Sequence, residues 1–354
     1  MIRVLIAEDS TTCLELLTAL VESDPELHVI GHAANGVQAL KLTHELHPDV
    51  IVMDIHMPVM DGFEATRHIM IETPTPIVIV SAVVNVREVA VSMQALRLGA
   101  LTVLPKPAFV EGAAFDDHAR QFAGTVRAMS GVRVVQRWRS SKPPAMPALN
   151  AAVIGAPSVV AIAASTGGPG ALHRLLVELK AEFPVPILVV QHIALGFVRG
   201  LVSWLNDSSA LTVKVAESGD KLRPGCALVA PDDVHLGLSD RDTVELSQRP
   251  AVAGFRPSGT FLFDSVARQH RSGTLAVVLT GMGDDGVVGL RTVREMGGRI
   301  WAQDAQSSVV FGMPGAAAAA GLADVMVPID LLAARLQRIA SERFDRNPYV
   351  KKTS

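Results

Sequence analysis

Short apolar runs recur along the chain, each followed by a turn and then by leucines or valines at helical spacing. Near the N-terminus the runs are Val4-Leu5-Ile6-Ala7, Val50-Ile51-Val52-Met53, Ile77-Val78-Ile79-Val80 and Leu101-Thr102-Val103-Leu104, with Leu14, Leu17, Leu20 and Val21 spaced as one helix face after the first. Runs of this length without polar interruption read as strands buried on both faces, and their alternation with helices predicts an α/β fold. Residues 1–121 are thus expected to form a doubly wound parallel sheet of the flavodoxin-like kind, with its site at the carboxyl ends of the strands. From Gly131 to Pro157 the helical period is lost and Arg133, Arg137, Arg139, Pro143, Pro144 and Pro147 accumulate, so residues 122–157 are assigned to a semi-rigid linker. Its Trp138 is expected to be clamped against one of the domains.

The alternation resumes over residues 158–345, leaving 346–354 as a tail. Val159-Val160-Ala161-Ile162, Ile187-Leu188-Val189-Val190 and Leu275-Ala276-Val277-Val278-Leu279 read as strands, and Asp330 to Ser341 as a closing helix. Between Leu211 and Leu246 the pattern differs, with Val213-Lys214-Val215 and Ala227-Leu228-Val229-Ala230 separated by the turn signals Pro224-Gly225 and Pro231-Asp232-Asp233. The expected architecture is two doubly wound parallel-sheet domains in one chain.

Chemistry gathers at the predicted strand ends. In the first domain Glu8 and Asp9, Asp54, Ser81 and Lys106 follow successive runs. Carboxylates with a lysine suit a hard divalent cation such as Mg²⁺ together with a phosphoryl group. In the second domain Ser165 follows one strand, His192 another and Asp284-Asp285 a third. A serine hydroxyl needs a base to take its proton, and the base needs a carboxylate to hold one tautomer, so Ser165, His192 and an aspartate form a candidate triad. Taken alone, Ser165 before a helical pattern is more often a helix cap. The order Ser, His, Asp and the absence of a G-x-S-x-G elbow disfavour a generic α/β-hydrolase. Thr166 is a candidate for oxyanion or positioning work, or equally a cap. Met282, between Gly281 and Gly283, offers its N–H as an oxyanion donor, with its side chain expected to pack. His173 is expected to be structural, while His235 and Arg256 are open between shaping substrate and holding structure.

With 354 residues, 49% hydrophobic and 19% charged, the chain can bury two cores. A net charge of −3 and no long basic run argue against nucleic acid as a partner. No apolar stretch approaches a membrane span and no signal-type leader begins the chain, so a protein that is cytoplasmic and not membrane-embedded is expected. Cys13 and Cys226 have neither disulfide-framework nor zinc-ligand spacing.

Asp54-Ile55-His56-Met57-Pro58-Val59-Met60-Asp61-Gly62 and Pro105-Lys106-Pro107, with Glu8-Asp9, resemble a two-component receiver domain. The resemblance implies that Asp54 is the phosphoacceptor, that Glu8, Asp9 and Asp54 hold Mg²⁺, and that Ser81 and Lys106 contact the phosphoryl group. Val103 stands where receivers usually carry an aromatic switch residue. Ala163-Ala164-Ser165-Thr166-Gly167-Gly168-Pro169, Val190-Gln191-His192, Ala230-Pro231 to His235-Leu236, Arg256-Pro257-Ser258 and Leu279-Thr280-Gly281-Met282-Gly283-Asp284-Asp285-Gly286 are similar to the chemotaxis protein-glutamate methylesterases.

That resemblance selects Asp285 over Asp284 and makes Ser165, His192 and Asp285 the catalytic residues of a serine esterase that needs no cofactor in its own site. It implies hydrolysis of glutamate methyl esters on chemoreceptors, deamidation of receptor glutamines, a histidine kinase as phosphodonor, and a receiver that blocks the active site until phosphorylated. Ala194-Leu195 and Gly259-Thr260 depart from the family pattern and are expected to bear on substrate recognition. The alternative function is a signalling or binding module with a degenerate effector domain.

Overall fold

The computed structural model describes residues 1–81, 95–96, 98–107, 113–132 and 156–341, so Trp138, most of the linker and the C-terminal tail lie outside the described residues. The chain divides into two units, Met1–Ser140 and Ser141–Ser354. Among the described residues no helix is long and apolar enough to cross a membrane.

In the first unit the strands are β1 (Ile2–Ala7), β2 (Leu27–Ala33), β3 (Val50–Asp54), β4 (Ile77–Ser81) and β5 (Thr102–Pro105). They pair in parallel in the order β2-β1-β3-β4-β5, the flavodoxin-like order. After β2 the chain crosses to the other side of β1, so the carboxyl ends of β1 and β3 border the switch point where such sheets bind ligands. Helices α1 (Thr11–Glu22), α2 (Gly36–Leu46) and α3 (Gly62–Glu72) start at side-chain caps from Ser10, Asn35 and Asp61. Helix α4 runs from Ala113 to Ser130 and packs on α1, burying Phe122, Val126 and Met129. The helical part of the unit therefore continues past the expected boundary at residue 121, because this apolar stripe has a partner to cover it.

The second unit contains β6 (Val159–Ala164), β7 (Ile187–Gln191), β8 (Thr212–Val215), β9 (Cys226–Val229), β12 (Thr274–Val278), β13 (Arg299–Gln303) and β14 (Val325–Val327) in a parallel sheet. Its order is β14-β13-β12-β6-β7-β9-β8. The segments 213–215 and 227–230, set apart by their pattern, extend this main sheet at one edge. The remaining strands, β10 (His235–Leu238) and β11 (Val244–Ser247), form a separate antiparallel pair. Between the strands lie α5 (Gly168–Glu178), α6 (Val198–Ser208), α7 (Gly259–His270), α8 (Val287–Glu295), α9 (Met313–Ala319) and the closing α10 (Ile329–Ser341). β7 is laid down on one side of β6 and β12 on the other, so the switch point falls at the carboxyl ends of β6 and β12.

Candidate active site

Ser165 is the first residue beyond β6. Its N–H donates to the carbonyl of Thr280 at 3.0 Å on the β12 side, while its own carbonyl accepts from Gly168 N–H at 2.8 Å. The cap position of α5 is Gly167 at φ 76°, and no side chain caps the helix. The capping alternative for Ser165 and Thr166 is therefore excluded, and neither hydroxyl is spent on the helix end. A positive φ next to closely packed Val309 is a position where only glycine fits.

His192 is the first residue beyond β7, and its N–H closes the last rung of the ladder onto Ala164 O at 2.9 Å. That rung is the last between the two strands, so Ser165 and His192 both stand just beyond the carboxyl end of the β6–β7 ladder. The imidazole Nε2 lies 2.9 Å from Asp285 Oδ2. Both ring nitrogens are buried, and neither makes a hydrogen bond of regular geometry among the described residues, so the Asp285 contact is a close ion-pair approach and Nδ1 has no partner at all. One face of the ring is covered by Phe255, stacked with centroids 4.2 Å apart and planes within 9°.

Asp285 is 3% exposed, and its carboxylate is enclosed by donors. Ser258 Oγ donates to Oδ1 at 2.7 Å, Gly259 N–H to Oδ2 at 2.6 Å and Thr260 N–H to Oδ1 at 3.1 Å. These amides are the N-terminus of α7, where backbone donors and the helix dipole favour an anion. Burial pushes the carboxyl pKa up, but the bonds from His192, Ser258 and Gly259 outweigh it and hold the group at about 2. The neighbouring Asp284 is exposed.

Gly259 and Thr260 therefore support the carboxylate through their backbone amides. A Cβ at Gly259 would lie 2.8 Å from Ala163 Cβ, so the close approach that lets its amide reach Asp285 depends on glycine. Sequence reasoning missed Ser258 and Phe255 as site residues. Ser258 carried a signal, a serine at a predicted helix start, but an N-terminus says nothing of which carboxylate it will meet.

The open assignments resolve toward structure. His235 is fully buried, stacked on Phe261 at 4.5 Å, with Nε2 3.1 Å from Pro250 O. Arg256 binds Asp233 through two bonds of 2.8 Å and reaches the carbonyls of Gln248 and Arg249, fixing the turn that carries Phe255. His173 stacks on Trp204. Met282 does not pack as expected: the residue is 42% exposed. The Thr166 and Met282 N–H groups donate to no other described residue; Thr166 O accepts from Thr280 Oγ1 at 2.9 Å.

In the first unit Glu8, Asp9 and Asp54 bring carboxylate oxygens within 4.8 Å of one another. Lys106 Nζ lies 2.9 Å from both Glu8 Oε2 and Asp54 Oδ2. Those two oxygens are buried, and apart from the close Lys106 ammonium they have no hydrogen-bond partner among the described residues; carboxylate oxygens of this kind suit a hard cation. Burial raises the Asp54 pKa and Lys106 only partly offsets it. Burial works against the Lys106 ammonium, yet Asp54 and Glu8 raise its pKa overall. Ser81 ends β4 buried, and its carbonyl accepts from Lys106 N–H at 2.9 Å. Val103, at the switch position, is buried in β5.

A carboxylate cluster at one switch point and a Ser/His/Asp constellation at the other define a response regulator with a hydrolase effector. Comparison with known proteins agrees: residues 4–112 match the response regulator receiver domain and residues 160–336 match CheB methylesterase. The chain belongs to the CheB methylesterase family. A protein-glutamate methylesterase/protein-glutamine glutaminase of Myxococcus xanthus (strain DK1622) is 52% identical over 95% of this chain and 96% of its own length. One from Anaeromyxobacter dehalogenans (strain 2CP-C) is 49% identical over 95% of this chain and 98% of its own. The crystal structure of the Thermotoga maritima CheB methylesterase catalytic domain, 39% identical, covers 52% of this chain and 98% of that one with a TM-score of 0.51.

Proposed function

We propose that Ser165, His192 and Asp285 are the nucleophile, base and orienting acid of a phosphorylation-regulated protein-glutamate methylesterase and protein-glutamine glutaminase acting on chemoreceptors. The observation that carries this is the placement of Asp285 Oδ2 on His192 Nε2 in the rung next to Ser165. With Nε2–H directed at Asp285, Nδ1 carries the lone pair that takes the Ser165 proton. Ser165 Oγ attacks the γ-carbonyl of a methyl-esterified glutamate, and the imidazolium returns its proton to the departing methoxide, releasing methanol. Water then attacks the acyl-enzyme by the same proton route and frees glutamate. A glutamine side chain follows the same course with ammonia as leaving group.

The Thr166 and Met282 amides, uncommitted among the described residues, are the donors for the tetrahedral oxyanion. In the receiver, Asp54 accepts phosphoryl from the pathway's histidine kinase. Glu8, Asp9 and Asp54 would hold Mg²⁺, which when bound neutralises charge on the incoming phosphoryl group. Lys106 and Ser81 bind that group's oxygens, and the unphosphorylated receiver holds the esterase down. A binding module with a degenerate effector is disfavoured by the fully donor-enclosed Asp285.

Ser165→Ala is expected to abolish methanol release from methylated receptor membranes. Undiminished release would remove Ser165 from the mechanism.

A further inference from the structure

We propose that Gln191 is a positioning residue of the catalytic centre, one side-chain amide that fixes the separation of the nucleophile's peptide from the base's. This rests on the assignment of Ser165 and His192 above. The ladder between β6 and β7 ends with His192 N–H on Ala164 O. One residue later Ser165 N–H turns to Thr280 on the opposite side, so the two backbones part where they carry the reacting groups. Gln191, the last residue of β7, spans the gap: its Nε2 donates to Ser165 O at 2.8 Å and to His192 O at 2.7 Å. Both protons of the amide nitrogen are used, one on each residue.

Packing alone does not account for this side chain. Gln191 is 3% exposed, and its Oε1 is buried with no hydrogen-bond partner among the described residues. A buried amide oxygen without a partner destabilises a fold, whereas an apolar side chain of equal length would fill the space without that loss. The room for the amide is made by Gly168, where a Cβ would collide with Oε1.

The other flank of Ser165 is built in a related way. Gln303, the last residue of β13, accepts from Thr280 N–H at 2.8 Å and donates to Ser307 O at 2.7 Å, and Thr280 Oγ1 in turn holds Thr166 O. There both ends of the amide are satisfied within the structure. On the Gln191 side the oxygen has no partner among the described residues while the nitrogen binds the carbonyls of both Ser165 and His192. The geometry thus favours placement of Ser165 and His192 over local stability.

Misplacement of reacting groups by about 1 Å can cost on the order of 100-fold in rate. In the full chain, Gln191→Met keeps the length and removes both donors. Its kcat for methanol release from methylated receptor membranes is expected to fall on the order of 10- to 100-fold, with KM within about twofold. Labelling of Ser165 by a fluorophosphonate should slow by a similar factor in protein shown by circular dichroism to be folded at the assay temperature.

Gln191→Glu supplies a second readout. Its ionised form sets a negative charge against two carbonyl oxygens, whereas its protonated form donates to one of them. Activity relative to the parent should therefore climb as pH is lowered. Wild-type kcat in Gln191→Met, a loss confined to KM, or a loss matching the unfolded fraction would each overturn the proposal. Ser165→Ala run alongside separates the failures: methanol release by that variant overturns the triad assignment, while an inert Ser165→Ala beside a full-rate Gln191→Met overturns only the role of Gln191.

Discussion

Asp285 shows how one buried charge can serve both stability and chemistry. A carboxylate removed from water is costly unless donors replace the lost solvation, and here a hydroxyl, two amides and an imidazole do so. Because its pKa is lowered to about 2, the unfolded chain binds the proton first as pH falls. The contribution is fully present above the ordinary carboxylate pKa near 4 and is lost as pH drops toward about 2. Linkage puts it at roughly 2 kcal/mol. Acid unfolding of Asp285→Asn should accordingly show a shallower fall in stability between about pH 4 and pH 2 than the parent. At neutral pH the same variant should lose on the order of 10³- to 10⁴-fold in kcat, because the amide no longer secures the tautomer. A variant with parental kcat would exclude Asp285 from orienting the base.

At the scale of elements, α7 is a positioning device as much as a structural one. Its cap residue, Ser258, accepts from Phe261 N–H at 3.4 Å while donating to Asp285, so one hydroxyl joins helix initiation to the Asp285 carboxylate. Ser258→Ala should cost about 1 to 2 kcal/mol in urea unfolding through loss of the cap and of a bond to a charged group. Gly259→Ala should destabilise by about 1 to 3 kcal/mol, since the added methyl meets Ala163 at 2.8 Å in a packed interior. Unchanged unfolding midpoints in both variants would show that α7 does not depend on this junction. The clamp of Arg256 on Asp233 acts beside it, holding the turn that lays Phe255 over the imidazole.

For the whole molecule, regulation separates from catalysis by unit. Each unit has its own sheet and its own switch point, so residues 156–341 alone should retain esterase activity. That fragment is expected to exceed the unphosphorylated full chain in methanol release, and Asp54→Ala should keep the full chain low even with acetyl phosphate and Mg²⁺ present. Equal basal rates for fragment and full chain would mean that the receiver does not inhibit. Mg²⁺ should also raise the unfolding midpoint of the receiver, by about 2.7 kcal/mol of stability at 100 times its dissociation constant, and EDTA should reverse it. No response to Mg²⁺, in a protein whose Glu8 and Asp54 oxygens stand close enough to share one ion, would count against the cation site.

The central strands and the chemistry at their ends are legible from the order of residues along the chain. Buried parallel strands must be apolar on both faces, which makes β1, β3, β4, β6, β7 and β12 visible as unbroken runs, and residues just beyond such runs have to lie at the carboxyl edge of a sheet. The edge strand β2 was less legible for the converse reason. β2, which no apolar run announced, carries His28 and His32, because one side of an edge strand meets solvent.

The fold in three dimensions sets which donors enclose Asp285, that Phe255 covers His192, that α4 extends to Ser130, and that Gln191 joins the peptides of Ser165 and His192. Each of these depends on a contact between segments distant in sequence, or on the exact divergence of two backbones. Local pattern encodes the faces that must be buried, but not the partner each face will find.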